Sequence, residues 1–346
     1  MTPLDLQVLW AGRGIPQASV LFPVFRGGPH LCAALDSVLS QEDVTLEVLV
    51  SDDASGDDTP ERLEQQLLRY SGSHRILLRR GSSRLGLEHF PWLAEAASCE
   101  IGIMAHHDDL SLPRRARRLL DVFAETGADV VASGYDWIGR NGPRVVPGLA
   151  NVPRGFLSAE VIVRQGWAPT MLGAALAWRK RVYTEFPRLD RENLNGGHDW
   201  LLPFRASLGG GFYFIDEILL HYRRHEGQWT HQLLDKSSRT SMQETLAARG
   251  LGVCVAMRRD LAHGLGSALA DPDRLRVLDR LVLDTMTERA SDMFCYRAML
   301  ERQGKRQLWV DEAVFASRQR ARRALRLWER EPFRSLKEWL EANFLR

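Results

Sequence analysis

Short apolar runs alternate with helical patterns along the first part of the chain, and this alternation constrains the fold more than any other feature. The runs lie at residues 18–24, 46–50, 76–78, 101–105 and 129–133, each bounded by turn residues. Runs of this length with such boundaries are typical of buried strands. Helical patterns lie between them, near residues 31–38, 59–70, 89–97 and 114–125. The alternation predicts an α/β fold, with a mostly parallel sheet covered by helices on both faces.

Two imidazoles and two carboxylates follow the run at 101–105, namely His106, His107, Asp108 and Asp109. Ligands of parallel sheets gather beyond the carboxyl ends of the strands, where unpaired buried charges would be costly. A divalent cation would relieve this cost, since Mg²⁺ takes carboxylate oxygens and Mn²⁺ also accepts imidazole. The alternative interpretation is a solvated polar loop after a strand.

The composition is typical of a globular protein, and the length of 346 residues allows two or three domains. A net charge of +2 gives no support for nucleic-acid binding. The four cysteines form no Cys-x-x-Cys pair, which argues against a zinc knuckle and favours the reducing cytoplasm. We find neither a secretory signal nor the roughly 20 consecutive apolar residues of a membrane span. These features predict a cytoplasmic protein.

A second acidic turn follows the run at 46–50. Asp52 and Asp53 lie nearest the strand end, where a carboxylate can accept from a base N–H or a ribose hydroxyl. We therefore predict that these two residues bind a nucleoside. Asp57 and Asp58 either contact a ligand or cap the helix that follows them, and the sequence does not decide between the two.

Segments in the same order along the chain resemble the nucleotide-sugar glycosyltransferases of family two. They are residues 19–25, residues 37–41, residues 47–59, the cluster His106–Asp109 with Leu112-Pro113, the triplet His198-Asp199-Trp200 and the segment Tyr222–His225. The amino-acid sequence around residues 85–97 and Asp199-Trp200 most resembles a branch of the family that includes rhamnosyltransferases. The resemblance implies a Rossmann-like GT-A fold and inverting transfer of a sugar from a UDP- or dTDP-sugar. The acceptor would be a hydroxyl of a glycan or a lipid-linked molecule.

The resemblance also implies roles for individual residues. Asp108 matches the carboxylate that holds the divalent metal, which stabilises the leaving diphosphate as a Lewis acid. His225 matches a histidine that approaches metal or diphosphate, with a surface histidine as the alternative. Asp199 matches the general base, with a helix N-cap as the alternative. The positions that match nucleotide or diphosphate contacts are Pro23, Phe25, Asp52, Asp53, Arg84, His107, Asp108 and Arg224.

Some of these residues have simpler interpretations. Phe25 can stack on a pyrimidine or belong to the core, and Arg84 can bind nucleotide or be a loop charge. Trp200 is predicted to be a core residue rather than a sugar platform. Gly173 lies where the family brings backbone close to the donor sugar, although glycine also merely interrupts strands.

Two positions depart from the family's pattern. The family usually has Asp where this chain has His106, and Glu where it has His198. A histidine at 106 can donate to ribose or ligate a borderline metal such as Mn²⁺, so we predict Mn²⁺ or Mg²⁺ held by His106, Asp108 and His225. The departures leave a catalytically silent GT-A scaffold that binds glycans or a partner as the alternative. A metallohydrolase is a third interpretation, but the spacing of further ligands that it needs is missing.

The predicted domains are a GT-A domain at residues 1–232 and a mainly helical domain at 233–346. The segment 139–153, rich in Gly, Pro and Asn, is predicted to be a loop and a candidate lid. From Ser317 onward, arginines interleave with apolar residues, as in a basic amphipathic helix. Such a helix packs on its own domain or on a second subunit, giving a homodimer, or lies on the anionic inner face of a membrane.

Overall fold

The computed structural model describes residues 6–139, 142–145, 154–165, 171–189, 197–225, 228, 239–265 and 271–302. The chain forms two compact units. The first unit comprises Met1–Asp190 and His198–Arg224, and the second comprises Arg191–Gly197 and His225–Arg346. The predicted boundary near residue 232 stays a prediction.

The first unit contains the strands and most of the helices. Its strands are β1 Gln7–Trp10, β2 Ala18–Val24, β3 Leu46–Asp52, β4 Arg75–Arg80, β5 Ile101–Met104, β6 Leu110–Ser111, β7 Val130–Gly139, β8 Gly142–Val145, β9 Gly155–Leu157, β10 Leu176–Arg179 and β11 Phe212–Arg223. Its α-helices are α1 Leu31–Leu39, α2 Thr59–Leu67, α3 His89–Ala96, α4 Arg115–Thr126, α5 Ala159–Gln165, α6 Arg181–Thr184 and α7 His198–Ser207.

These strands form one sheet in the order β1-β4-β3-β2-β5-β10-β7-β11-β6, with β8 paired to β7 and β9 paired to β11. β2 pairs in parallel with β3 and β5, β3 with β4, and β7 with β11. β10 runs antiparallel to both β5 and β7. The predicted α/β fold with a mostly parallel sheet is therefore confirmed.

Burial on both faces explains why the parallel strands read as continuous apolar runs. Val20 and Phe22 of β2 pack with side chains of α1, α2 and α4 in one core cluster. Leu21, between them, is equally buried, and alternation along a strand directs it to the opposite face. In α1, Leu31, Leu35 and Val38 recur at helical spacing and supply the buried side of the helix.

Three elements differ from the sequence prediction. β7 extends to Gly139 and pairs antiparallel with β8, so residues 142–145 of the predicted 139–153 loop form a strand. Residues 140–141 and 146–153 lie outside the described residues, so the lid stays a prediction. β1 was not predicted, because two of its four residues are exposed and no apolar alternation marks it. The sequence analysis also did not predict the 3₁₀ helix Gly173–Ala175, which directly precedes β10.

The described part of the second unit consists mainly of helices, as predicted. Its long helices are α8 Arg239–Leu265 and α9 Pro272–Arg302, and they pack through Ala247, Leu251 and Ala290. Arg258 Nε lies 2.7 Å from Asp279 Oδ1 and joins the two helices by an ion pair. Among the described helices, none has an apolar stretch long enough to cross a bilayer. The basic segment from Ser317 falls outside the described residues, so its membrane or dimer contact stays a prediction.

Candidate active site

The polar segments that follow β2, β3 and β5 meet at one edge of the sheet. These strands run parallel, so their carboxyl ends lie side by side. Backbone hydrogen bonds continue past the strand ends: Asp53 N–H donates to Val24 O at 2.8 Å, and Ala105 N–H donates to Leu21 O at 3.0 Å. This edge therefore holds both acidic turns that the sequence singled out.

A potential cation site follows β5. His106, Asp108 and Asp109 each offer one ligand atom, and these atoms lie within 4.8 Å of one another. The Asp109 side chain is buried, and its Oδ2 accepts no hydrogen bond from the described residues. Burial, and then the neighbouring Asp108, raise the pKa of Asp109 well above its ordinary value, because a second buried negative charge is unfavourable there. An imidazole, two carboxylates and an unpaired buried oxygen fit a divalent cation.

The environment of His106 favours the neutral imidazole that can act as a ligand. Loss of contact with water lowers the pKa of His106, although the carboxylate of Asp108 opposes this shift. The side chain keeps 37% of its exposure, so a ligand can reach the ring. The ligand atoms of His106 and Asp108 lie close together, and their binding of a metal stays a prediction. Asp109 joins them; the sequence analysis placed it in the same polar cluster but not among the predicted metal ligands.

Arg223 holds the loop that carries these ligands. Its backbone N–H donates to Asp109 Oδ1 at 2.8 Å, and its Nε donates to the backbone oxygen of Asp108 at 2.9 Å. Both bonds connect the end of β11 to the loop between β5 and β6. Arg223 thus positions the loop with its own backbone and side chain.

A buried arginine, Arg115, was also not predicted as a site residue. Its Nη2 donates to Met104 O at 2.8 Å and to Ala174 O at 2.6 Å, and its Nη1 donates to Ser111 Oγ at 2.9 Å. Burial lowers the pKa of Arg115 to about 10, so it stays charged near neutral pH, and Asp109 is a neighbouring opposite charge. The residue lies in a run of similar arginines, and nothing in that run distinguishes the one that tertiary packing buries.

The predicted nucleotide pocket brings Phe25 and Arg84 together. The Cζ atom of Arg84 lies 3.9 Å from the centroid of the Phe25 ring, and that of Arg26 lies 5.3 Å from it. Such contacts are typical of cation–π pairs. Phe25 and Pro23 are only half-buried, so the ring is not a core residue.

Asp52 and Asp53 shape the loops of this pocket. Asp53 accepts the backbone N–H of Leu85 at 2.6 Å and that of Gly86 at 2.8 Å. Asp52 accepts the N–H of Ser55 at 3.1 Å and also its hydroxyl. The sequence did not predict these contacts, and the predicted contact of both carboxylates with a nucleoside stays a prediction. Asp57 accepts the N–H of Thr59 at 3.0 Å, as a residue at a helix start does.

His89 is a buried histidine beside the same pocket. One of its ring nitrogens, Nε2, lies 2.7 Å from Ser51 Oγ. Burial lowers the pKa of His89 to about 4; the charge of Asp53 opposes this shift, and those of Arg79 and His107 add to it. His89 is therefore neutral at physiological pH. His107 itself is half-buried.

Asp199 lies at the start of α7 and is half-buried. A Cβ atom placed on Gly173 would lie 3.5 Å from the Cβ of Asp199, so the two residues are neighbours. The next residue of the 3₁₀ segment, Ala174, is bonded to Arg115, which links the neighbourhood of Asp199 to the end of β5. Trp200 is fully buried and its Nε1 donates to Ile162 O at 2.8 Å, which confirms it as a core residue. The ring centroid of His198 lies 4.6 Å from that of Phe90.

Two predicted ligands of the diphosphate follow β11. Arg224 is exposed, and its Cζ lies 4.7 Å from the centroid of the Trp137 ring. His225 is the first residue of its segment in the second unit and is half-buried. Their contacts with a metal or diphosphate stay predictions.

Comparison with known proteins identifies the fold and the family. The Glycosyl transferase family 2 model matches residues 19–186. Succinoglycan biosynthesis protein ExoO of Rhizobium meliloti is 25% identical over 313 residues, covering 76% of this chain and 84% of that protein.

Two solved structures share the fold at low sequence identity. The structure of S. aureus TarS 1–349 in complex with UDP-GlcNAc has a TM-score of 0.55 at 16% identity, covering 87% of this chain and 79% of that one. The mannosyltransferase PcManGT from Pyrobaculum calidifontis, in complex with GDP-Man and Mn²⁺, has a TM-score of 0.52 at 16% identity, covering 94% of this chain and 87% of that one. Residues 19–186 match the family model, and the site lies at the carboxyl edge of the sheet. The chain therefore carries a glycosyltransferase domain of family 2 with the GT-A fold.

Proposed function

We propose that this protein is a metal-dependent, inverting glycosyltransferase that uses a UDP- or dTDP-sugar. The observation that carries the proposal is the grouping of His106, Asp108 and Asp109 at the carboxyl edge of a family 2 domain. Related folds bound to UDP-GlcNAc, and to GDP-Man with Mn²⁺, support a nucleotide-sugar donor and a divalent metal. The acceptor is a hydroxyl of a glycan or lipid-linked molecule, as in polysaccharide synthesis.

Separate groups of residues bind the nucleobase and the diphosphate of the donor. Phe25 and Arg84 form an aromatic and cationic surface on which a pyrimidine can stack, and Asp53 fixes the Arg84 loop. At the other end, His106 and Asp108 would hold Mn²⁺ or Mg²⁺, which supplies Lewis-acid stabilisation of the leaving diphosphate. From the family resemblance, we infer that His107 and Arg224 bind the diphosphate, where Arg suits a phosphate oxyanion, and that His225 binds metal or diphosphate.

Asp199 is the general base of the proposed reaction. The acceptor oxygen attacks the anomeric carbon while its proton moves to the Asp199 carboxylate. The bond between that carbon and the diphosphate oxygen breaks, and its electron pair leaves with the nucleoside diphosphate. Attack and departure on opposite faces invert the anomeric configuration. Gly173 beside Asp199 leaves space for the sugar ring, since glycine permits close approach.

We infer that the reaction takes place in the cytoplasm, and at the inner face of the membrane when the acceptor is lipid-linked. The described cysteines Cys32, Cys99 and Cys254 are free thiols, which supports a reducing compartment.

Asp199→Asn tests the assignment of the base. Asparagine keeps the size and the capping ability of aspartate but cannot take a proton at neutral pH, so the fold and donor binding should persist. Sugar transfer should fall by about 10²–10⁴-fold, the usual contribution of a positioned base. Transfer is measured with a panel of UDP- and dTDP-sugars and Mn²⁺, and donor affinity by calorimetry.

Glu185→Gln is the matched control, because it removes an exposed carboxylate outside the site. A folded Asp199→Asn protein that transfers at the wild-type rate would move the base to another residue, with His198 the next to test. A wild-type protein that binds donor and metal but transfers to no acceptor, and does not hydrolyse the donor, would favour the catalytically silent scaffold.

A further inference from the structure

Asp109 is held so that one of its oxygens faces His106. Its Oδ1 accepts the backbone N–H of Arg223 at 2.8 Å, and this bond fixes the carboxylate plane. Its Oδ2 lies 3.7 Å from His106 Nδ1 and accepts no hydrogen bond from the described residues. The Asp109 side chain is only 1% exposed, so water does not compensate readily for a missing partner.

The separation is about 0.7 Å longer than a normal hydrogen bond. Rotation about the broad χ2 torsion of histidine closes a gap of this size without changing the backbone. In that position, the Nδ1–H of His106 donates to the Asp109 carboxylate, and Nε2 carries the free lone pair. Burial disfavours the ionised carboxylate, but Arg115, the N–H of Arg223 and a bound cation favour it. A carboxylate that accepts from one ring nitrogen in this way fixes the tautomer and orientation of a metal-binding histidine, and raises its basicity.

We propose that Asp109 is a positioning residue that makes His106 Nε2 a ligand of the divalent cation in this chain. The inference rests on the proposed function for the presence of the cation. It concerns the support that Asp109 gives to His106, which the aspartate usual in the family at position 106 would not need. An aspartate binds through either oxygen and needs no fixed tautomer, whereas a histidine does. The substitution at 106 thus makes the buried carboxylate at 109 part of cation binding.

A double-mutant cycle on the full chain tests this coupling. Asp109→Asn can keep the bond from Arg223 N–H, but its amide NH₂ then faces His106 Nδ1, which favours the tautomer protonated at Nε2. Mn²⁺ affinity, measured by electron paramagnetic resonance with and without UDP, should fall by about 10–100-fold. In the His106→Asp background, Asp109→Asn should lower the Mn²⁺ affinity by about threefold or less, because no histidine tautomer has to be fixed.

The outcomes separate the inference from the proposed function. Equal losses on both backgrounds would overturn the positioning role and make Asp109 a direct ligand or a residue of the fold. A wild-type protein that binds no Mn²⁺ would overturn the inference, while sugar transfer, assayed separately, would still decide the proposed function.

Nuclear magnetic resonance of the ¹⁵N-histidine-labelled wild type keeps the test decisive if Asp109→Asn unfolds. The His106 signal, assigned by its loss in His106→Gln, should show a proton on Nδ1 and none on Nε2. A proton on Nε2 instead would overturn the inference.

Discussion

Asp53→Asn separates two roles of a buried carboxylate: fixing the Arg84 loop and touching the nucleoside. Asp53 is 2% exposed and accepts two backbone N–H groups, from Leu85 at 2.6 Å and Gly86 at 2.8 Å. Asparagine keeps one acceptor oxygen and turns an NH₂ group toward the other N–H donor. A hydrogen bond to a charged group contributes about 1.5–3 kcal/mol, and a buried donor without an acceptor adds to the loss. We therefore expect the free energy of unfolding to fall by about 2–4 kcal/mol.

The same change should weaken UDP binding by an indirect route. Loosening the loop separates Arg84 from Phe25, whose contact of 3.9 Å has the geometry of a cation–π pair. Such pairs contribute about 0.5–2 kcal/mol, which corresponds to roughly 2–30-fold in affinity. If Asp53 acts through Arg84, then Asp53→Asn in an Arg84→Gln background should cause little further loss of UDP affinity.

Urea denaturation and UDP calorimetry measure the two effects. Asp58→Asn is the matched control, because Asp58 lies in the same loop with its side chain 75% exposed. An unchanged unfolding midpoint together with a full loss of UDP affinity in the Arg84→Gln background would refute the loop-positioning role and establish direct contact with the nucleoside.

Other predictions concern the metal, pH and packing. Turnover should be higher with Mn²⁺ than with Mg²⁺ because imidazole suits the softer ion; an equal rate with Mg²⁺ would contradict ligation by His106. Burial lowers the pKa of His89 to about 4, below the unfolded value of about 6.5, so up to about 3 kcal/mol of stability is lost as pH falls from about 6.5 to about 4. His89→Gln should flatten that part of the stability–pH curve, and an unaltered slope would count against it. Gly102→Ala would place its Cβ 2.6 Å from the Trp178 indole, so denaturation should show a loss of about 1–3 kcal/mol unless Trp178 moves.

The strands and helices of the domain were predictable because local pattern and tertiary position agree there. β2 and β3 are apolar throughout and lie buried between helices, and the Thr59-Pro60 start of α2 carries its own signal. β1 and β8 lack such signals. They lie at the periphery of the sheet, where pairing with β4 and β7 sets the strand and the side chains do not.

The site was predictable at the level of which segments meet, and less so at the level of contacts. Strand order brings Phe25, Asp53 and His106 to one edge, and the sequence motifs named them. Which oxygen of Asp53 accepts which N–H depends on a loop more than 30 residues away, so no local pattern contains it. Arg115 could not be predicted as a site residue for the same reason: it differs from the neighbouring arginines only in being buried by tertiary packing.

Arg115 also explains how distant parts of the chain act as one site. A single guanidinium bonds to Met104 just before the cation ligands and to Ala174 just after Gly173, the neighbour of Asp199. In the proposed reaction, the cation stabilises the leaving group of the donor sugar, and the base takes the proton of the acceptor oxygen that attacks this sugar, so their separation has to stay fixed. A charged, fully buried donor is costly to bury and is kept only where several acceptors meet it. The two carbonyls that accept from Arg115 belong to the segments whose spacing the proposed reaction requires. We therefore regard Arg115 as a residue that holds the site together, and not only as a core residue.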